Sequence, residues 1–106
     1  MAYEDALRAL ADPTRKAVFD RLRQGPQTVG ALAAGLPVSR PAISQHLKAL
    51  KAAGLVTDQA DGARRLYRIE SRELAALRDY LQAVCEEVEG AHRAEIERQM
   101  EQRRYG

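Results

Sequence analysis

The sequence predicts a mainly α-helical fold carrying one small β-hairpin. Three observations point there. Apolar residues recur at helical spacing along most of the 106 residues, bracketed by Asp, Thr or Ser at the starts and Gly or Pro at the stops. One stretch, 55–69, breaks that period and reads as a ribbon around Asp61-Gly62. Four Tyr, one Phe and no Trp leave Leu, Val, Ile and a large Ala population to build the core, which suits packed helices.

Taken in order, Tyr3 to Ala11 forms a first helix with Leu7 and Leu10 on one side. Asp12 caps the second and Pro13 opens it, because the first turn needs no amide donor. This helix runs to about Gln24, with Val18, Phe19 and Leu22 inward, and Gly25-Pro26 stops it. Thr28 caps a short third helix, Val29 to Ala34, closed by Gly35-Leu36-Pro37. Ser39 caps the fourth, 40–53, closed by Gly54. Leu55-Val56-Thr57 is a short strand, Asp58 to Ala63 a turn-rich stretch, and Arg64 to Ile69 a basic second strand. Two strands alone are marginal in water, so this ribbon must lean on the helices. Ser71 caps a last helix, 72–102. Leu74, Leu77, Leu81, Val84, Val88 and Ala91 follow a 3-4-3-4-3 spacing, the seam of a helix that packs on another helix. Beyond Ala91 the stripe shifts to His92, Ile96 and Met100, and Gly90 marks an expected kink or close crossing. Residues 1–106 are read as a single domain.

The overall charge of +2 hides an asymmetry. From Arg15 to Arg68 there are ten Lys or Arg against three acids, while Ser71 to Gly106 holds six against eight. A basic centre with an acidic end predicts a polyanion partner for the centre alone. No apolar run is long enough to span a membrane, the acidic N-terminus does not read as a signal peptide, and the lone Cys85 excludes an intrachain disulfide. A cytoplasmic location is expected.

The informative segment is Thr28 to Val56, two short helices around a Gly-Leu-Pro turn. On the second, Ile43, Leu47 and Leu50 form an inward stripe, while Arg40, Pro41, Ser44, Gln45 and Lys48 line the opposite side. No acid occurs from Ser39 to Lys51. A helix entering the major groove must be slim, must donate and accept at base edges, and must not repel phosphate. Ser44 and Gln45 suit base edges, and Arg40 suits a guanine or a phosphate. Ser39 and Pro41 stand at the leading end. Lys48 and Lys51 suit phosphates, and His46 suits a phosphate or the polar edge of the core. Arg64, Arg65 and Arg68 follow the hairpin tip, where a basic ribbon can straddle the backbone. The alternative is a solvated polar face and an edge strand kept soluble by arginine.

These residues resemble the ArsR/SmtB family of winged helix-turn-helix regulators. The resemblance covers roughly Leu7 to Leu81. It rests on Ala11-Asp-Pro-Thr-Arg15, Ser39-Arg-Pro-Ala-Ile-Ser-Gln-His-Leu-Lys-Ala-Leu50, Ala53-Gly-Leu-Val56 and Gly62-Ala-Arg-Arg-Leu-Tyr67. It implies that 39–53 is the recognition helix on double-stranded DNA, that 55–69 is the wing, and that the first and last helices form a homodimer. Leu7, Leu77, Leu81, Val84 and Val88 would then line the dimer contact. The heptad seam fits such a contact independently, since a helix of about 30 residues spans about 45 Å. The implied activity is that of a homodimeric repressor on an inverted-repeat operator.

Many members of that family sense metals. A Cys-x-Cys site on the helix before the recognition helix would fall on residues 27–32, which hold no Cys. A second site, of Asp, His, His and Glu, would fall on Ser71, Glu73, Val84 and Glu87, where both His are missing. His92 and Glu95 remain, three apart on one helix face, as a candidate Ni or Zn pair completed by the partner chain or by Tyr3, Glu4 or Asp5. Cys85 reads as a buried, inert thiol, with a redox link between chains as the alternative. The competing functions are an activator or metal-responsive regulator built from the same parts, and an interaction module that has lost DNA binding. An enzyme is not expected, because no Ser-His-Asp set, phosphate loop or paired carboxylates are present and the two His lie far apart.

Overall fold

The computed structural model describes residues 2–105. The elements run α1 (Ala2–Ala11), α2 (Pro13–Leu22), α3 (Val29–Gly35), α4 (Arg40–Ala52), β1 (Val56–Asp61), β2 (Arg64–Ile69) and α5 (Ser71–Tyr105). This is the winged helix-turn-helix arrangement.

Side-chain caps begin three helices as the sequence predicts. Asp12 accepts from the Arg15 amide at 3.0 Å, Thr28 from Ala31 at 3.1 Å and Ser39 from Ala42 at 3.3 Å. α2 stops two residues short of Gln24. Its last amides turn back to carbonyls three residues away, Arg23 to Asp20 and Gly25 to Leu22, and Gly25 takes φ +129°. α4 ends in a Schellman turn: Leu55 N–H donates to Leu50 O and Gly54 N–H to Lys51 O, both at 3.0 Å. Gly54 supplies the left-handed residue at φ +77°. Ser71 does not cap α5. It is the first helical residue, and the carboxylate of Glu70 accepts the Arg72 amide instead, at 3.3 Å.

The ribbon departs from expectation. β1 continues through Asp58, Gln59 and Asp61, which the sequence reading assigned to the turn. Their side chains look turn-forming until the opposite strand is in place, where they meet Arg65, Arg68 and Arg64 in turn. The register pairs Val56 with Ile69 and Asp61 with Arg64, leaving a Gly62-Ala63 loop. Gly62 takes φ +62° and Ala63 does not, the pattern of a turn with glycine at its first central position. Gln27 and Tyr67 exchange backbone hydrogen bonds of 3.0 and 2.9 Å, which ties the outer edge of β2 to the segment before α3. That bridge is how the ribbon leans on the helices.

The core gathers Ala6 and Ala9 of α1, Val18, Phe19 and Leu22 of α2, Leu32 of α3, Ile43, Leu47 and Leu50 of α4, Leu55, Val56 and Leu77. α5 packs on α1 and then runs on, so the molecule is 75 Å long but only 25 by 21 Å across. At 1.5 Å per residue its 35 residues span about 52 Å. The helix passes unbroken through Gly90, and within the chain no described atom of another element approaches that residue.

Candidate nucleic-acid interface

α4 has two chemically opposed faces. Ile43, Leu47 and Leu50 are fully buried, and they fix the rotation of the helix against the core. Ser39, Arg40, Pro41, Ser44, Gln45, Lys48 and Lys51 are exposed. The helix therefore presents hydroxyls, an amide and cations, with no carboxylate of its own, along a convex rod.

His46 is set apart from that face. It is half-buried, its Nδ1 is enclosed without a hydrogen-bond partner, and it lies near Asp12 at the start of α2. The Arg15 amide holds the Asp12 carboxyl below its usual range, and the charge of His46 adds to that effect. This places His46 at the polar edge of the core.

The structure brings together cations that lie far apart in the chain. Arg40, Arg64 and Arg65 line one depression of about 490 Å³ with Thr28, Gly30 and Tyr67. The Arg40 guanidinium lies against α3 beside Gly30, where a Cβ would stand 3.2 Å from the Arg40 Nη2. Of the three guanidiniums around this concave surface, those of Arg64 and Arg65 are ion-paired, and among the described residues Arg40 offers the uncompensated charge.

Lys51 and Arg65 do not stand free. One carboxylate takes both: Asp58 Oδ1 lies 2.6 Å from Lys51 Nζ and Oδ2 lies 2.6 Å from Arg65 Nε. The Asp58 side chain is only 7% exposed, while its partners are 55% and 56% exposed. The Lys51 ammonium, followed by the Arg65 guanidinium, holds the Asp58 carboxyl below its usual range, and Asp58 in turn raises Arg65. Arg64 pairs with Asp61 at 3.2 Å, and Arg68 donates to Gln59 Oε1 at 2.9 Å. Among the described residues Arg40 and Lys48 have no acidic partner. Asp58 and Gly30 were not singled out by sequence reasoning. The only trace of the first was an acid opposite a strongly basic strand.

At the far side, Leu7, Leu81 and Val88 are exposed at 44%, 49% and 62%, and Val84 is half-buried. Leu77 is placed differently from expectation: it is buried in the chain's own core, where α5 meets α1. Tyr3 and Tyr80 stack there with ring centroids 4.5 Å apart. Cys85 is exposed in the single chain.

Within one chain the metal pair is not completed. The Glu95 carboxylate already accepts from Arg98 and Gln99. Tyr3 is held at Tyr80, and the twelve residues from there to His92 put about 18 Å of helix between them. Among the described residues no group of three or more His, Cys, Asp or Glu is brought together.

Comparison with known proteins agrees with this geometry. A family model described as a helix-turn-helix domain matches residues 10–59. The HTH-type transcriptional regulator Rv2034 of Mycobacterium tuberculosis is 59% identical over 73 residues, covering 69% of this chain and 68% of that protein. The HTH-type transcriptional repressor SmtB of the same species is 46% identical over 74 residues, covering 70% of this chain but only 55% of the relative. Among solved structures, an ArsR-like transcriptional regulator from Rhodococcus sp. RHA1 superposes with a TM-score of 0.78 at 34% identity, covering 88% of each chain. A domain from Mycobacterium bovis, described as a homodimeric winged helix-turn-helix DNA-binding domain of a possible ArsR-family regulator, gives 0.65 at 34% identity, covering 81% and 80%.

Proposed function

The chain belongs to the ArsR/SmtB family of helix-turn-helix transcriptional regulators, and from that premise we propose that it is a homodimeric repressor that binds an inverted-repeat DNA operator. One observation carries the reading. The outer face of α4 is free of carboxylates along its length and is flanked by the Arg40–Arg64–Arg65 depression. In this reading Ser44 and Gln45 read base edges in the major groove. Arg40 reads a guanine or holds a phosphate. Lys48 and the wing arginines hold the backbone.

The dimer follows from the apolar side of α1 and α5. Leu7, Leu81, Val88, Ile96 and Met100 are each more than 40% exposed on α1 and α5. Burying that stripe against a second copy removes it from water at about 25 cal/mol per Å². A two-fold dimer carries two copies of α4, which is why the operator is an inverted repeat. Repression is the sign assigned to the relative SmtB. Control by Ni or Zn through His92 and Glu95 would require ligands from both chains, since one chain does not complete the site.

The test is a titration of fluorescent duplex DNA from the gene's own promoter, read by anisotropy at several salt concentrations. Saturable binding that weakens steeply with salt is expected. Binding no tighter than to random duplex would reject sequence-specific regulation.

A further inference from the structure

We propose that Asp58 is a specificity-determining residue, which restrains Lys51 and Arg65 so that the face selects a DNA sequence instead of holding any polyanion. The inference rests on the DNA-binding reading above. Sequence-independent affinity grows with each cation that can settle on a phosphate. Two of the cations on this face, one at the end of α4 and one on β2, are claimed by the same carboxylate, each at 2.6 Å. The Asp58 side chain is 7% exposed, with both its oxygens engaged by these two cations. Lys51 and Arg65 remain more than half exposed. They are therefore offered to a phosphate in one fixed orientation, with part of their charge already neutralised.

The same contact sets the wing against α4. β1 and β2 are joined to each other by their ladder, and the Lys51–Asp58 pair ties that ribbon to the C-terminal turn of the helix. On this proposal the pair, held at the end of the same helix, would meet a phosphate when α4 sits with Ser44 and Gln45 at base edges. On a wrong sequence those edges are not matched and the restrained cations add little. Unrestrained, they would follow the backbone of any duplex.

Asp58→Asn keeps the size of the side chain and removes its charge. Anisotropy titrations would use two duplexes over a range of KCl, one of random sequence and one selected by the wild type from a randomised pool. We expect the variant to bind random duplex about 3- to 10-fold tighter. The slope of log K against log [KCl] should steepen by about 0.9 for each phosphate gained, and the preference for the selected duplex should fall about 10-fold or more. Asp79→Asn, which makes the same change in net charge on α5, should move none of these readings. An Asp58→Asn protein with a lower unfolding midpoint but an unchanged slope and preference would overturn the proposal and leave a structural link only. If that variant does not fold, Lys51→Gln and Lys48→Gln decide. Lys51→Gln should lower the slope by clearly less than Lys48→Gln, and equal losses would overturn the proposal. Wild-type protein that binds neither duplex would overturn the DNA-binding reading itself. Selective wild-type binding with an indifferent Asp58→Asn overturns this inference alone.

Discussion

Arg40 lies across Gly30. The guanidinium of the first residue of α4 passes so close to α3 that a Cβ on Gly30 would sit 3.2 Å from its Nη2. Arg40 also lines the depression it shares with Arg64 and Arg65. Gly30→Ala separates aim from stability. Replacing a helical glycine by alanine gains about 0.5–1 kcal/mol in backbone entropy, while the added methyl makes the Arg40 guanidinium give by a few tenths of an ångström. The expected outcome is a thermal midpoint equal to or above the wild type with weaker DNA binding, measured by calorimetry and anisotropy on one preparation.

Base reading is assigned to Gln45. Gln45→Ala is expected to cost about 1–3 kcal/mol on the selected duplex and to relax the preference at one position of each half-site. Competition against single-base variants of the duplex measures this. Equal weakening on every variant would remove Gln45 from the list of base readers.

Gly54 is required twice. It holds the left-handed position of the Schellman turn at φ +77°, and a Cβ there would fall 2.4 Å from Cγ of Glu73 on α5. Alanine at this position is expected to destabilise by about 1–2 kcal/mol from backbone strain alone, with Glu73 forced to move as well. Chemical denaturation of Gly54→Ala beside Gly90→Ala checks it. Gly90 meets no neighbouring atoms, so there alanine should stabilise the helix.

The pH dependence has a definite sign. Asp12 and Asp58 both titrate below their usual carboxyl range, the first because of the Arg15 amide and the second because of Lys51 and then Arg65. A carboxyl lowered on folding contributes stability that is present above its unfolded pKa of about 3.9 and is lost as pH falls through the folded value. Thermal midpoints are therefore expected to decline as pH falls below about 4. The decline should be shallower in Asp12→Asn and Asp58→Asn, which start lower at neutral pH.

The helices were legible because their signals are local. Asp12, Thr28 and Ser39 cap the helices that follow them, and the Ile43, Leu47 and Leu50 spacing gave the rotation of α4 without any knowledge of its neighbours. What escaped was non-local. Asp58, Gln59 and Asp61 read as turn residues because the arginines that draw them into β1 lie on the other strand. The Gln27–Tyr67 bridge joins residues forty positions apart. Ser71 yielded its capping role to Glu70, whose own amide is fixed by Leu55 O at 2.9 Å. The spacing on α5 marks one face of a helix but not its depth, since Leu77 turns into the core while Leu81 and Val88 do not.

The central claim is that the outer face of α4 reads duplex DNA. The most direct measurement is an anisotropy titration of wild type, Gln45→Ala and Lys48→Ala on the selected and the random duplex as a function of salt. The account predicts tight, salt-steep wild-type binding to the selected duplex. Gln45→Ala should lose preference but keep its slope, and Lys48→Ala should lose about 0.9 of slope per half-site, about 1.8 for the dimer, but keep its preference. Binding that ignores both substitutions would contradict it and move the interface away from α4.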